Sequence, residues 1–310
     1  MSGRPTARTE AARQSGSTAP RARWWRAPTR ARTVSRSDIE AGRETGGMSG
    51  RLDGKIVVVT GAASRGEGIG TGKAIAVLSA REGARVVLVN RSAERAEGLA
   101  EEIRAEGGEA FVFAGDVTEE ADANAMAEAA EAHFGRIDAL VNNVGGSRQQ
   151  GAVMEIGREG WDATIAVNLT SAMLCARACI PAMQRAGGGS ILNISSVVGA
   201  RGLLSQIGSV AYASAKAGLH GLTLSLATDY AKDAIRCNCI IVGTIFTPMV
   251  AHQGPEARAR RAAMVPLATE GTGWDIGWAA VYLTSDEARW ITGVLLPVDA
   301  GLLAIRDWPR

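Results

Sequence analysis

The length of 310 residues exceeds that of an average domain, yet a parallel α/β domain often reaches about 250 residues as one unit. With 46% hydrophobic and 21% charged residues, the composition is that of a globular protein. The net charge of +2 comes from an arginine-rich N-terminus that leaves the rest mildly acidic. This argues against a nucleic-acid partner, which needs a basic folded part.

The first 47 residues have no apolar periodicity and are rich in arginine, serine, glycine and proline. They cannot bury enough apolar surface to offset chain entropy, so residues 1–47 are predicted to be a disordered extension of a domain spanning 48–310. An Arg-rich, acid-poor start is typical of transit peptides, but there is no clear amphipathic pattern and no apolar secretory core. Alternatively, Met48 is the true initiator and residues 1–47 are not native.

From Lys55 onward, short apolar strands alternate with helical patterns. The alternation predicts right-handed βαβ crossovers, and hence a single Rossmann-like α/β domain with a doubly wound parallel sheet of about seven strands. Ligands bind such sheets at the C-terminal ends of the strands. Strands are predicted at 55–60, 84–90, up to 116, 137–141, 190–195, 235–242 and 294–298, and the main helices at 70–81, 92–106, 119–134, 160–185, around 212–232 and 275–284.

The four cysteines form two pairs, Cys175 with Cys179 and Cys237 with Cys239, and neither spacing is the C-x-x-C of a redox or zinc site. Both pairs lie in apolar runs, which predicts buried reduced thiols and a reducing, cytoplasmic location. The histidines are isolated, so no metal site is predicted. No uninterrupted apolar run reaches the roughly 20 residues of a membrane span, and no membrane contact is expected.

Tyr212 and Lys216 lie four positions apart in a helical stretch and therefore share a face. A neighbouring ammonium group stabilises phenolate over phenol, which predicts a Tyr212 pKa below its ordinary value and a side chain suited to general acid or base catalysis. In isolation, such a pair is more often a half-buried aromatic beside a solvated charge. The functional interpretation therefore depends on the other motifs.

The turn after the first strand is rich in glycine and leads directly into a helix. Glycines let the backbone approach a pyrophosphate, and the helix N-terminus supplies partial positive charge. At the first βα junction of an α/β chain, this pattern favours a dinucleotide site over a plain turn. The turn reads Thr60-Gly61-Ala62-Ala63-Ser64-Arg65-Gly66-Glu67-Gly68-Ile69-Gly70.

With these motifs, the chain from about Leu52 to Leu303 resembles the classical short-chain dehydrogenase/reductase family, whose first turn is T-G-x-x-x-G-x-G. Three extra residues, most simply Arg65-Gly66-Glu67, are inserted in the turn here. A carboxylate that pointed inward would repel a pyrophosphate, so Glu67 is expected to face solvent or to pair with Arg65.

The resemblance implies a catalytic group of Asn168, Ser196, Tyr212 and Lys216. Singly, Asn168 is more often a buried helix asparagine and Ser196 a turn serine, but their order with Tyr212 and Lys216 favours catalysis. By resemblance, Tyr212 exchanges a proton with the substrate oxygen and Ser196 donates a hydrogen bond to it. Lys216 lowers the tyrosine pKa and binds the nicotinamide ribose, and Asn168 holds a water that relays protons to Lys216.

The resemblance also implies the residues that bind a nicotinamide cofactor. Asp116-Val117 resembles the adenine contact, Asn142-Asn143-Val144-Gly145 the N-N-A-G motif, and Val242 to Thr247 the P-G-x-x-x-T segment at the nicotinamide, with valine replacing proline. The implied cofactor-binding residues are Gly61, Ser64, Arg65, Gly68, Ile69, Gly70, Asn90, Arg91, Asp116, Val117, Asn143, Gly145, Tyr212, Lys216, Gly243 and Thr247.

The residues after the second strand favour NADP over NAD. An acid there hydrogen-bonds the ribose 2′-OH of NAD, but this chain has Asn90 followed by Arg91. The amide does not repel a 2′-phosphate, and the arginine can pair with it, as Arg65 can. Asparagine can also bind the 2′-OH of NAD.

Two segments are expected to shape the substrate pocket. The loop between Ser196 and Tyr212 is about three residues longer than the family spacing implies. The Arg- and Ala-rich segment at about 248–270 resembles the family's mobile substrate lid, although it also reads as a surface helix with solvated arginines. Near the C-terminus, Val298-Asp299-Ala300-Gly301 replaces the usual V-D-G-G.

These features predict an NADP-preferring oxidoreductase that moves a hydride between nicotinamide and an unidentified small-molecule ketone or secondary alcohol. By resemblance, the assembly is a homotetramer. One alternative is a non-catalytic, nucleotide-binding regulatory protein on the same fold. Another is a methyltransferase, which also uses a Gly-rich first turn but has no need for Tyr212 with Lys216.

Overall fold

The computed structural model describes residues 50–64, 66, 68–202 and 208–304, apart from the side chains of Met249 and His252. The predicted disordered extension at residues 1–47 lies outside these described residues. The same holds for Arg65 and Glu67 in the first turn and for residues 203–207 in the loop before Tyr212.

Strands and helices alternate along the described chain, as the sequence predicts. The strands are β1 Ile56–Thr60, β2 Arg85–Asn90, β3 Glu109–Ala114, β4 Ala139–Asn142, β5 Gly189–Ser196, β6 Ile235–Val242, β7 Ile245–Phe246, β8 Gly271–Thr272 and β9 Leu295–Val298. The helices are α1 Thr71–Arg81, α2 Ala93–Ala105, α3 Glu120–Phe134, α4 Arg158–Ile165, α5 Ser171–Ala186, α6 Val210–Asp229, α7 Gly254–Ala263 and α8 Gly273–Thr284.

Seven of the described strands form one parallel sheet in the order β3-β2-β1-β4-β5-β6-β9. The order reverses between β1 and β4, where the chain first builds outward to one edge and then to the other. Such a switch point opens a crevice at the C-terminal ends of the strands. The predicted doubly wound parallel sheet is confirmed.

The core lies on both faces of this sheet, because successive side chains of a strand point to opposite sides. In β1, Val57 and Val59 join the cluster that contains α1 and α8, while Ile56 and Val58 join the cluster that contains α3 and α5. All four valine and isoleucine side chains are fully buried. This burial explains the continuous apolar run of the first strand.

The helix predicted over 160–185 is interrupted. A π-helical turn at Ala166–Thr170 separates α4 from α5 and contains Asn168. Such turns commonly mark functional sites within helices. By length and composition, Arg158–Ala186 could cross a membrane, with a mean hydropathy of 1.5, but 56% of its most apolar part is buried inside the fold. The core helix of a globular protein has the same properties.

The 248–270 segment leaves the fold between β7 and β8, which pair with each other as a small parallel ladder. It contains a 3₁₀ turn at Pro248–Gln253 followed by α7. Beyond α7, buried Val265 packs with Val197, Ile241 and Leu302 in a third, smaller cluster. The segment is therefore joined to the body at both of its ends.

Candidate active site

The first turn is held in place by Asn143, which follows β4. The side-chain Nδ2 of Asn143 donates to the carbonyl oxygens of Thr60 at 3.2 Å and Gly61 at 3.0 Å. Its backbone N–H donates to the Thr60 hydroxyl at 3.1 Å. Gly61 has a φ of 63°, in the left-handed region that glycine adopts without strain. Asn143 therefore holds the backbone of the first turn in place through these hydrogen bonds.

Helix α1 begins directly against this turn. A β carbon on Gly72 would lie 2.1 Å from the Gly61 carbonyl oxygen, so no side chain fits there. No side chain caps the helix, whose N-cap is Gly70, and its first turn holds no acid. The N–H groups at this helix start fit the pyrophosphate of a dinucleotide. Gly72 is absent from the predicted site residues, although the spacing Gly70-Thr71-Gly72 signals it.

The other described residues of the first turn face neighbouring elements. Ser64 Oγ lies only 1.9 Å from where a β carbon on Gly70 would be, so Gly70 makes room for the serine. Ile69 packs at the start of α8, beside Gly273. Gly68 has a φ of 110° and lies next to Pro248, at the beginning of the 248–270 segment. Of the described residues of this turn, Gly66 and Gly68 both lie near Pro248.

The ends of β2 and β3 carry the residues that are predicted to bind the adenosine part of the cofactor, and these residues contact each other. Arg91 Nη1 donates to Asp116 Oδ2 at 3.3 Å, and the Asn90 side chain donates to the Ser92 carbonyl at 3.0 Å. Burial raises the pKa of Asp116, but hydrogen bonds from Thr118 and the Arg91 charge outweigh it and leave the pKa below its usual value. The Val117 side chain packs into the core.

Lys216 is buried beneath the ends of β4 and β5, with 3% of its surface exposed. Its Nζ donates to the Ile194 carbonyl at 2.8 Å and lies 5.6 Å from the centroid of the Tyr212 ring. Burial lowers the pKa of Lys216 to about 8, and the thiol of Cys239 on β6 partly opposes this change. The predicted proximity of Tyr212 and Lys216 is present.

The predicted lowering of the Tyr212 pKa is absent from this structure. Burial raises the pKa of Tyr212, and the facing Ser196 hydroxyl offsets only part of the rise. The reason is geometric, since the ammonium of Lys216 lies against the ring and donates to a strand carbonyl. Four-residue spacing places two side chains on one helix face, but it does not place the cation beside the hydroxyl.

Asn168 connects the π-helical turn Ala166–Thr170 to the loop after β4. Its Oδ1 accepts from the Gly146 N–H at 3.0 Å, and its Nδ2 donates to the carbonyls of Gly146 and Thr164, each at 2.8 Å. A β carbon on Gly145 would lie 2.9 Å from both Asn168 Oδ1 and Lys216 Nζ. The structure therefore brings Asn168, Gly145 and Lys216 together.

Ser196 ends β5 and caps the short 3₁₀ turn Val197–Gly199, with its Oγ 3.5 Å from the Val198 N–H. The preceding residue has an unpredicted role. Ser195 Oγ donates to the Lys216 carbonyl at 2.9 Å and lies 2.9 Å from His220 Nε2. His220 sits one helical turn beyond Lys216, and that spacing is the signal in the sequence.

At the end of β6, Gly243 packs so closely on Asp299 that a β carbon would lie 2.5 Å from the Asp299 Cα. The buried hydroxyl of Thr244 has no hydrogen-bond partner among the described residues. Thr247 has extended backbone and precedes the 3₁₀ turn of the 248–270 segment. The unpaired hydroxyl and the glycine approach fit a polar ring ligand such as a nicotinamide. In the described part of the chain, no group of three or more metal-binding side chains occurs.

Comparison with known proteins identifies the family. Residues 61–303 match the family described as enoyl-(acyl carrier protein) reductase. The chain is 38% identical over 255 residues to the 2,5-dichloro-2,5-cyclohexadiene-1,4-diol dehydrogenase of Sphingobium indicum, covering 82% of this chain and 98% of that relative. It is 37% identical over 251 residues to the cis-4-hydroxycyclohexanecarboxylate dehydrogenase of Sinomonas cyclohexanicum, with 81% and 97% covered.

A solved structure agrees with these relatives. A Burkholderia xenovorans protein described as a short-chain dehydrogenase/reductase shares 38% identity and a TM-score of 0.79, covering 83% of this chain and 100% of that one. The relatives are dehydrogenases, which favours the catalytic interpretation over a regulatory protein or a methyltransferase. The protein is an oxidoreductase that moves a hydride between a nicotinamide cofactor and the carbon of a ketone or secondary alcohol. It belongs to the classical short-chain dehydrogenase/reductase family.

Proposed function

We propose that Tyr212 is the proton donor and acceptor of this oxidoreductase, with Ser196, Lys216 and Asn168 as its partners. The observation that carries the proposal is the placement of the phenol, which faces the Ser196 hydroxyl while Lys216 Nζ lies 5.6 Å from its ring. A bound nicotinamide supplies or accepts the hydride. During reduction Tyr212 gives its proton to the carbonyl oxygen, and in oxidation it takes the proton back.

Ser196 donates a hydrogen bond to the same substrate oxygen, where negative charge develops during reduction. The position of Ser196 is held by its strand, because it ends β5 and the preceding Ser195 donates a hydrogen bond to the Lys216 carbonyl. The donor is therefore placed before substrate arrives, which is the condition for effective stabilisation of developing charge.

Lys216 supplies the positive charge of the site, and Asn168 fixes its surroundings. Both lie against Gly145, and Asn168 is tied to Gly146 by two hydrogen bonds. We propose that Lys216 binds the nicotinamide ribose, and that Asn168 holds a water through which Lys216 exchanges protons with solvent. A lysine with a pKa of about 8 can release and regain a proton near neutral pH.

For the substrate, we propose a secondary alcohol or ketone on a small carbon ring. Both relatives named above act, by name, on ring compounds that carry hydroxyl groups. The loop after β4 carries exposed apolar side chains, Val153 and Met154. This loop is paired with the one before α6, since the Gly151 N–H donates to the Gly208 carbonyl at 2.6 Å. The 248–270 segment then serves as the lid over the substrate.

The test is a substrate screen on wild type, Tyr212→Phe and the matched control Tyr230→Phe. Cyclohexanol- and cyclohexanone-type compounds are assayed with NADH, NADPH and their oxidised forms. Wild type and Tyr230→Phe should turn over, whereas Tyr212→Phe should lose at least about a thousandfold in kcat while binding reduced cofactor nearly as well. Retained turnover in Tyr212→Phe would contradict the assignment.

We propose NADP as the preferred cofactor. Asn90 carries no charge to repel a 2′-phosphate, and Arg91 is half-exposed with one hydrogen bond to Asp116. A guanidinium has five N–H donors, so donors remain for a phosphate. Comparison of kcat/KM for NADPH and NADH decides the preference.

We also propose a cytoplasmic homotetramer. The four cysteines are buried free thiols, as expected for a protein of a reducing compartment. Trp290 is 91% exposed and Trp278 47% exposed, which is unusual for a side chain that prefers interfaces. Light scattering on wild type and Trp290→Glu tests the assembly, which should weaken in the variant.

A further inference from the structure

Glu270 is an almost buried carboxylate at the base of the 248–270 segment, with 7% of its side chain exposed. Arg258 Nε donates to Oε2 at 2.7 Å and Arg261 Nε donates to Oε1 at 2.6 Å. Burial raises the pKa of Glu270, but the two arginine hydrogen bonds outweigh burial, and the pKa lies below its usual value. The carboxylate is therefore ionised at neutral pH.

This carboxylate connects three parts of the segment. Arg258 and Arg261 belong to α7, which has no fully buried residue of its own. Arg261 Nη1 also donates to Gln253 Oε1 in the 3₁₀ turn at 2.6 Å. The Arg258 guanidinium lies 3.9 Å from the centroid of the Phe246 ring in β7. Because α7 itself has no buried residue, these contacts hold the helix against Glu270, next to β8, and against Phe246 in β7, while buried Val265 anchors the chain just beyond the helix.

Glu270 stands where the two ends of the segment meet. It directly precedes β8, whose Gly271 and Thr272 pair with Ile245 and Phe246. Phe246 in turn precedes Thr247, the residue implied to contact the nicotinamide. The contact between Arg258 and Phe246 therefore links α7 to the strand that directly precedes Thr247.

We propose that Glu270 is a positioning residue that holds the 248–270 lid in its closed geometry by neutralising Arg258 and Arg261. The inference rests on the proposed function of that segment as a substrate lid. Arg261 Nη2 is buried and has no hydrogen-bond partner in the described chain, so this guanidinium depends on Glu270 for charge compensation. Removing the carboxylate leaves buried positive charge unpaired, and outward movement of α7 relieves it.

The first test measures lid attachment without any activity. Trypsin cleaves after arginine, and α7 carries Arg258, Arg260 and Arg261. The variant Glu270→Gln should be cut in this segment at least about tenfold faster than wild type, because cleavage follows the population of the opened form. The control Glu256→Gln, which removes an exposed ion-pair partner of Arg260 on the same helix, should be cut like wild type.

The second test uses the purified full chain in steady-state kinetics. Glu270→Gln should raise the KM of the substrate by about tenfold with kcat changed less than about twofold, and Glu270→Asp should recover part of the loss. The variant Arg258→Met removes only one of the two hydrogen bonds, from a half-exposed side chain, and should show smaller changes in the same direction.

Cleavage of Glu270→Gln at the wild-type rate would overturn the proposal, and so would faster cleavage with an unchanged KM. Absence of oxidoreductase activity in wild type would instead refute the proposed function. Proteolysis would still report on the attachment of α7 in that case, so the two failures are distinguishable.

Discussion

Gly145 and Lys216 are in such close contact that a β carbon on the glycine would lie 2.9 Å from the lysine Nζ. The same β carbon would lie 2.9 Å from Asn168 Oδ1. A single methyl group at this position would therefore push on two of the proposed catalytic side chains at once.

The variant Gly145→Ala should lose about a hundredfold in kcat/KM, the loss that a displacement of about 1 Å costs in a positioned site. Gly157→Ala is the matched control, because a β carbon at Gly157 meets nothing within 4 Å. Circular dichroism checks the fold, and initial rates measure the effect. Equal activity of the two variants would contradict the contact.

Asn90→Asp should shift the cofactor preference toward NADH by at least about tenfold, or 1.4 kcal/mol in relative transition-state binding, because a carboxylate repels a 2′-phosphate. The readout is the ratio of kcat/KM for NADPH and NADH. The exposed Asn124 on α3 offers the same chemical change away from the site, and Asn124→Asp should leave the ratio unchanged. An unaltered ratio in Asn90→Asp would remove Asn90 from the cofactor site.

The lowered Lys216 pKa predicts a pH dependence of stability. Below pH of about 8, the lysine is protonated in both the folded and the unfolded chain, and the cost of burying its charge is fully present. Between about 8 and its ordinary value of 10.5, the unfolded chain binds more protons, so stability rises with pH in this window.

Urea unfolding of wild type and Lys216→Met from pH 7 to 10 measures this effect. The stability of wild type relative to the variant should rise by about 1 kcal/mol per pH unit above pH 8. Taking the difference between the two proteins cancels the other groups, including Tyr212, whose raised pKa lowers stability above pH 10. A difference that stays flat would show that Lys216 titrates at its ordinary pKa.

Ala300 replaces a glycine of the family pattern and has a φ of 53°, in the left-handed region. That conformation costs a residue with a β carbon about 1–2 kcal/mol, and glycine avoids this cost. Glycine in turn lowers the free energy of unfolding by roughly 0.5–1 kcal/mol, because it gives the unfolded chain more conformational freedom. Ala300→Gly should therefore raise the free energy of unfolding by about 0.5 kcal/mol. The control Ala125→Gly, in the exposed middle of α3, should lower it by about 1 kcal/mol.

The four buried thiols should be unreactive in the folded protein. Burial raises the pKa of Cys175 and Cys237 to about 12 and that of Cys239 to about 11, and it raises that of Cys179 well above its usual value. The thiolate is the reactive form, so a disulfide reagent at pH 8 should modify no thiol until denaturant is added. Reaction of a folded thiol would show that one of these sites opens.

The arrangement of strands and helices was predictable from sequence because it depends on two local features, the apolar runs of buried strands and the glycines of tight turns. An apolar run such as Ile56 to Thr60 is buried on both faces, and glycine is needed at Gly72, where α1 begins against the end of β1. The proposed roles of Ser196, Tyr212 and Lys216 came from the family resemblance, and the structure places each of them at the C-terminal edge of the sheet or on the helix beside it.

Only the tertiary structure decided how these residues act on one another. Lys216 faces the Tyr212 ring and a strand carbonyl, so burial governs both of their pKa values. The Asn143 side chain donates a hydrogen bond to the backbone of the first turn. Glu270 accepts hydrogen bonds from two arginines of α7, which the sequence alone showed only as part of a basic segment. A pKa depends on burial and a salt bridge on distance, and both are set by segments far apart in the chain.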